Sequence, residues 1–142
     1  MPKVRCVSYA DKFSADKSSL RDLTIGLEHR VVGCNSKTFG ASKQGDFVII
    51  CARHQKRLYT CIGILEERVN TTVWADRGGQ LWTYNFSFTP LTEIVEVDSS
   101  RKDQLKKVCS EHNVNHNHMF NMRFCGERYL KVIQRSLADG IL

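Results

Sequence analysis

The chain has 142 residues, of which 42% are apolar and 25% are charged, so it can close a hydrophobic core and has the composition of an ordinary globular protein. No apolar run approaches the length of a bilayer crossing, and the first residues lack the apolar segment of a secretory signal. We therefore expect an intracellular protein, cytoplasmic or nuclear, with no membrane partner. Lysine and arginine outnumber aspartate and glutamate by 21 to 15, giving a net charge of +6, which favours polyanionic partners such as nucleic acid.

The first third of the chain predicts a strand, a helix and a second strand. Residues 3–10, KVRCVSYA, have a β-rich composition and open the domain. Ser18 or Ser19 can cap a short helix whose apolar face carries leucines. VVGC, residues 31–34, predicts a short buried strand, and a loop rich in Gly, Ser and Asn follows over residues 35–46.

A β-hairpin with a basic tip is predicted over residues 45–67, GDFVIICARHQKRLYTCIGILEE. Apolar residues alternate on both sides of a polar turn, which is typical of two paired strands. Arg53, Lys56 and Arg57 crowd the tip, where any polar residues would have served. This clustering suggests that the hairpin contacts phosphates.

The β pattern continues through residues 70–75 and 81–98, with DRGG, residues 76–79, as the turn between them. The second segment has an aromatic face that consists of Trp82, Tyr84, Phe86 and Phe88. Five or six short strands with one early helix predict an α+β protein built on a small, curled, barrel-like sheet.

The last part of the chain changes to a helical period. Ser100 and Asp103 resemble a capping box at the start of a helix, and ERYLKVIQRSLADG predicts a second helix that ends toward Gly140. We expect one domain over residues 1–142, in which residues 99–142 form a helical extension packed on the barrel.

The cysteines and histidines do not predict a metal centre. Six cysteines occur without a CxxC pair; Cys51 and Cys61 are expected to face each other across the hairpin, as buried reduced thiols rather than a disulfide. Four potential ligands lie close together near the C-terminus, but their spacing matches no closed zinc site: Cys109, His112, His116 and His118. We expect no metal and no cofactor.

Taken in order, the elements resemble the PUA-like superfamily and, within it, the EVE and YTH branch that binds modified bases. The matching pieces span residues 3–98 and are VRCVSYADKF, SSLRDLTIGLEHR, VVGCNSKTF, GDFVIICAR, YTCIGILEE, VWADRGGQLWTY and TPLTEIVEVD. Members of this branch place an aromatic residue directly after the second strand. This chain has Gly33 and Cys34 there, and Phe39 is the residue that could substitute.

The resemblance implies a barrel with a base-binding pocket at the end of the first strand. By position, Ser8 and Tyr9 would edge this pocket and Asn35 would lie at its polar rim. Trp74 or Trp82 would supply an aromatic wall. We expect Trp82 to be the core residue, because three further aromatic residues share its face, and Trp74 to be the wall.

The function that these features favour is a nucleic-acid-binding domain, for DNA or RNA, that accepts a flipped or modified base. Two alternatives remain open. The first is a small hydrolase or nucleotide-processing enzyme on the same barrel, for which Cys34 is a candidate nucleophile although no histidine lies near it in the sequence. The second is a partner-binding protein, for example a virus-encoded one that engages host machinery; it would need an exposed apolar patch.

Overall fold

The structure, a computed structural model, describes residues 2–70, 73, 78, 81–120 and 127–142. Its centre is a curled, half-barrel mixed sheet of six strands. The strands are β1 (Val4–Ala10), β2 (Val31–Cys34), β3 (Phe47–His54), β4 (Arg57–Val69), β5 (Tyr84–Pro90) and β6 (Val95–Glu96). The α-helices of the described residues are α1 (Ser19–His29), α2 (Lys37–Gly40), α3 (Ser99–Glu111) and α4 (Leu130–Ala138). The prediction of an α+β protein with a small curled sheet is confirmed.

The strands follow the order β1-β3-β4-β5-β2, and β6 pairs with β4 beside this path. The β1–β3 pair is parallel and the other pairs are antiparallel. A parallel pair needs a crossover connection, which α1, β2 and α2 supply. The β4–β5 ladder shifts register between Leu65 and Arg68. Such a bulge increases the local twist and bends the strand, which suits a curled sheet.

The predicted hairpin is formed by β3 and β4. Its turn consists of Gln55 and Lys56, both with a positive φ, 49° and 65°, as two-residue hairpin turns favour. Because the turn is centred between these residues and not on Lys56, Cys51 pairs with Thr60. The expected Cys51–Cys61 pairing is therefore wrong. The five described cysteines are buried free thiols.

The helix starts differ slightly from their predictions. The side chain of Ser18 accepts a hydrogen bond from the Arg21 amide and caps α1, as predicted. Helix α3 is capped by Asp98 and not by Ser100: the Asp98 carboxylate accepts from the backbone N–H of Arg101 at 2.9 Å. A 3₁₀ turn, Glu127–Tyr129, precedes α4.

Both faces of the sheet are covered, by different parts of the chain. Helices α3 and α4 pack on one face, where Cys6, Ile49 and Ile62 contribute to a shared cluster. The other face joins α1 and the α2 segment in a second cluster that contains Leu23 and Phe86. Among the described residues, none of these helices has both the length and the apolar character that a membrane crossing requires.

Candidate functional site

A cavity of about 410 Å³ opens at the end of β1, next to the loop after β2 and the segment before β5. We call it the aromatic pocket. It brings together Ser8, Tyr9 and Asn35, which the resemblance assigned to one pocket, and Trp82, one of the two tryptophans that it offered as a wall. Phe13, Asp22 and Cys34 also line it. Ser8 is half-buried and Asn35 is exposed.

Tyr9 joins the two strands at opposite ends of the sheet order. Its hydroxyl donates to the Gly33 carbonyl at 2.6 Å and accepts from the Gly33 N–H at 3.3 Å. Burial raises the pKa of this phenol well above its usual range, and the nearby Cys34 thiol adds to the effect. Tyr9 therefore remains a neutral hydrogen-bonding group that holds β1 to β2 beside the pocket.

The position of Trp82 is set by hydrogen bonds on both sides of it. The Asn85 side-chain Nδ2 donates to the Trp82 carbonyl at 2.8 Å. The Asn35 Oδ1 accepts from both the N–H and the hydroxyl of Thr83 at 2.9 Å. A side chain at Gly33 would collide with this arrangement, because its Cβ would lie 2.1 Å from the Asn85 Oδ1 and 3.2 Å from the Trp82 Cβ.

Trp82 lines the pocket and is half-buried, whereas the sequence predicted a core residue. Its ring centroid lies 6.0 Å from that of Tyr9, with the planes tilted by 35°. The indole Nε1 is shielded from solvent and has no hydrogen-bond partner among the described residues. Such an unpaired donor is unfavourable unless a ligand or a small rearrangement satisfies it. Trp74, the other predicted wall, lies outside the described residues.

Phe39 does not line the pocket, so its prediction as the substitute aromatic is wrong. The short helix α2, capped by the Ser36 side chain, places Phe39 in the core at 2% exposure, where it packs edge-on against Phe86 at 5.2 Å between ring centroids. Phe13 is the additional aromatic residue that the sequence reading missed. It lines the pocket while 60% exposed, and the Lys12 Nζ lies 4.9 Å from its ring centroid.

Asp22 is the second missed residue. It lies on α1, lines the pocket and is only 2% exposed. Burial raises the pKa of its carboxyl to about 6, against the opposing effect of a hydrogen bond from Ser14. At neutral pH the group is therefore largely an ionised acceptor in an apolar setting, and small changes in its surroundings change its protonation.

The pocket contains a cysteine but no activated nucleophile in the part of the chain that the structure describes. Burial raises the pKa of Cys34 to about 11, so its sulfur is a protonated thiol at neutral pH and a weak nucleophile. No histidine lies among the described lining residues. Across residues 2–70, 73, 78, 81–120 and 127–142, no group of three or more His, Cys, Asp or Glu residues is placed to hold a metal ion.

The predicted basic residues meet in a second cavity of about 760 Å³, which we call the basic cleft. One wall is the hairpin tip, with Arg53, Lys56 and Arg57, and the other is formed by β6 and the start of α3, with Glu96 and Lys102. Arg57 Nη1 lies 3.6 Å from the Glu96 Oε1. The three basic residues of the tip are exposed, and the cleft is open and polar where the pocket is apolar.

The β1–β3 ladder links the linings of the two cavities, which belong to opposite faces of the sheet. Ala10 lines the aromatic pocket and pairs directly with Arg53, which lines the basic cleft. The hydroxyl of Ser19 also donates to the Arg53 carbonyl at 2.9 Å, so α1 holds the hairpin strand at this point.

Asp11 fixes the hairpin turn against the chain segment that enters the pocket. Its carboxylate lies 2.9 Å from the His54 Nδ1 and accepts from the Gln55 N–H at 3.2 Å. It also accepts from the N–H of Ser19 at 2.8 Å. Although partial desolvation opposes ionisation, these hydrogen bonds hold the Asp11 pKa well below its usual range. The turn that carries Lys56 is therefore anchored and not a free loop.

No family model, curated protein or solved structure matches this chain. Its function is therefore inferred from the geometry of the aromatic pocket and the basic cleft.

Proposed function

We propose that this chain is a nucleic-acid-binding domain on a PUA-like barrel of the EVE and YTH type, which accepts one unstacked or modified base of DNA or RNA in the aromatic pocket. One observation carries the proposal. Ser8, Tyr9 and Asn35, which the resemblance assigns to a base site, line a single cavity together with Trp82, one of its two candidate walls, and the same domain carries the basic cleft.

The pocket suits a flat, apolar ligand with polar edges. Its volume of about 410 Å³ falls within the range of about 300–1,000 Å³ that is usual for small-ligand sites. Phe13 and Trp82 offer ring faces from different segments of the chain. Stacking a base on an aromatic ring contributes about 1–3 kcal/mol, which offsets much of the cost of taking it out of a stack, itself a few kcal/mol.

Polar groups around these rings can read the edge of a base. Above about pH 6 the Asp22 carboxylate accepts hydrogen bonds, which favours bases that present an amino group or a ring N–H. The Oδ1 of Asn35 is already occupied by Thr83, so its amide contributes the Nδ2 donor. A ligand acceptor within reach of the Trp82 indole N–H would remove the penalty of that unpaired donor.

Phosphates would be held outside the pocket, at the hairpin tip. Arg53 is the ladder neighbour of Ala10, a pocket residue, and its exposed side chain lines the basic cleft. Lys56 and Arg57 extend the positive surface away from the pocket. The net charge of +6 adds a sequence-independent attraction through the release of counterions.

The sharpest test of the pocket is Phe13→Ala. The side chain is 60% exposed, so its removal should leave the melting temperature nearly unchanged, while affinity for short single-stranded DNA or RNA falls by about 1–3 kcal/mol if the ring stacks on a base. Fluorescence anisotropy with labelled oligonucleotides and thermal melts measure the two quantities. Leu91→Ala is the matched control, because Leu91 is also exposed and apolar but lines neither cavity.

Two outcomes would contradict the proposal. If Phe13→Ala and Leu91→Ala both bind like the wild type, and Trp82→Ala binds normally once its melting temperature is accounted for, no base enters the pocket. If the wild type binds neither DNA nor RNA at low salt, nucleic-acid binding itself fails. In that case the exposed Phe13 and Leu81 favour the partner-binding alternative.

A further inference from the structure

We propose that the basic cleft is a binding site for the backbone of a nucleic-acid strand, which is completed by Lys102 of the C-terminal helical segment. This inference rests on nucleic-acid binding but not on the pocket being the base site. The sequence reading assigned phosphate contacts to the hairpin alone and gave residues 99–142 only a packing role. The cleft, however, has one wall from each of these parts.

The charges in the cleft are not balanced. Four cations and two carboxylates line it; Glu96 pairs with Arg57 at 3.6 Å, and Asp98 accepts from an amide of the first turn of α3. Arg53, Lys56 and Lys102 have no ion pair among the residues that the structure describes. The lining therefore carries an excess of two positive charges, which favours a ligand with more than one negative charge.

The position of these cations fits a nucleic-acid backbone better than a single small anion. Arg53 and Lys56 belong to the hairpin, whereas Lys102 lies across the cleft on the first turn of α3. The cleft has a volume of about 760 Å³, which is far more than one phosphate fills. Phe120 is half-buried and lines the same cavity, so a base or a ribose has an apolar surface beside the charges.

The ligand class that follows from the cleft is an oligonucleotide and not a free phosphate. Its cations come from two separate elements, the hairpin and α3, so successive phosphates of one strand can each meet a positive charge.

The experiment compares Lys102→Ala with Lys106→Ala. Both residues lie on α3, both are exposed and both substitutions remove one positive charge, but only Lys102 lines the cleft. Anisotropy titrations use a labelled single-stranded hexanucleotide at several salt concentrations, with thermal melts to verify folding. Lys102→Ala should weaken binding up to about fivefold and flatten the salt slope by about 0.7, Lys102→Arg should restore both, and Lys106→Ala should remain near the wild type.

The outcomes separate this inference from the proposed function. If Arg53→Ala weakens binding while Lys102→Ala and Lys106→Ala behave alike, the C-terminal wall lies outside the interface; the inference is then wrong and the proposed function stands. If Lys102→Ala weakens binding but the Phe13 and Trp82 variants do not, the cleft binds nucleic acid and the base pocket fails. If the wild type does not bind the hexanucleotide, both proposals fail.

Discussion

The aromatic pocket and the basic cleft have opposite physical characters and belong to opposite faces of the sheet. The pocket is walled by rings and buries its ionisable groups, so that the carboxyl of Asp22 and the thiol of Cys34 both have raised pKa values. The cleft carries its charges on exposed side chains. Discrimination between ligands by shape and hydrogen bonding therefore belongs to the pocket, and a salt-dependent, general attraction belongs to the cleft.

The largest effect is expected for Asp22→Asn, which should change how the free energy of unfolding depends on pH. The Asp22 pKa is about 6 in the folded protein and about 3.9 in an unfolded chain. The folded state thus binds the proton more tightly, so the free energy of unfolding falls as pH rises from about 4 to about 6 and stays lower above it. The size of this fall is about 3 kcal/mol, and the Asn variant should lack it.

Urea unfolding of both proteins at pH 4 and pH 7.5 measures this effect. The loss of unfolding free energy between pH 4 and pH 7.5 should be smaller in Asp22→Asn than in the wild type, because groups that do not interact with Asp22 contribute equally in both chains. If the free energy of unfolding changes with pH equally in the wild type and the variant, the carboxyl of Asp22 is not buried in the pocket.

The next largest effect concerns the framework of the pocket. Gly33→Ala forces a methyl group into the space of the Asn85 side chain, 2.1 Å from its Oδ1, and overpacking of this kind costs about 1–3 kcal/mol. Because Asn85 also holds the carbonyl of Trp82, the tryptophan should move. We expect a lower melting temperature together with altered tryptophan fluorescence and weaker oligonucleotide binding. If the variant is destabilised but its tryptophan fluorescence is unchanged, Gly33 does not determine the position of Trp82.

The smallest effect per substitution is expected for the basic residues of the cleft. Replacing Arg53, Lys56 and Arg57 together by alanine should weaken binding to all sequences and flatten the salt slope by about 0.7 per lost contact on single strands. Arg57 should contribute least, because it already pairs with Glu96. Titrations at four or more salt concentrations test this. An unchanged slope in the triple variant would remove the hairpin from the interface.

The sequence predicted the elements with strong local signals. The hairpin was predicted from strict alternation, and the start of α1 from the capping serine. The hairpin register was missed by half a residue, because the turn residues Gln55 and Lys56 both adopt positive φ without the glycine or asparagine that usually indicates such a turn. Cys51 and Cys61 consequently belong to opposite faces of the sheet.

The part of the candidate site that was predicted came from the resemblance to the PUA-like superfamily. Ser8 and Tyr9 lie near the end of β1 and Asn35 directly follows β2, where the resemblance places the pocket. Phe13 lies in a 3₁₀ turn, and Asp22 belongs to a helix whose leucines suggested a different buried face. The face of α1 that is actually buried consists of Ser19, Asp22, Leu23 and Gly26. These residues have helical spacing, but most of them are polar or small and give no hydrophobic pattern in the sequence. The buried face of α1 is therefore recognised only from the tertiary packing.

The presence of the aromatic pocket and the basic cleft on one domain also determines how ligand length should influence affinity. A nucleoside in the pocket and a phosphate in the cleft that belong to the same strand are tethered, and the second contact forms at a raised effective concentration. A free nucleoside and free phosphate, added together, lack this advantage. Affinity should therefore rise with the length of the oligonucleotide and then level off, at the length that just spans both cavities.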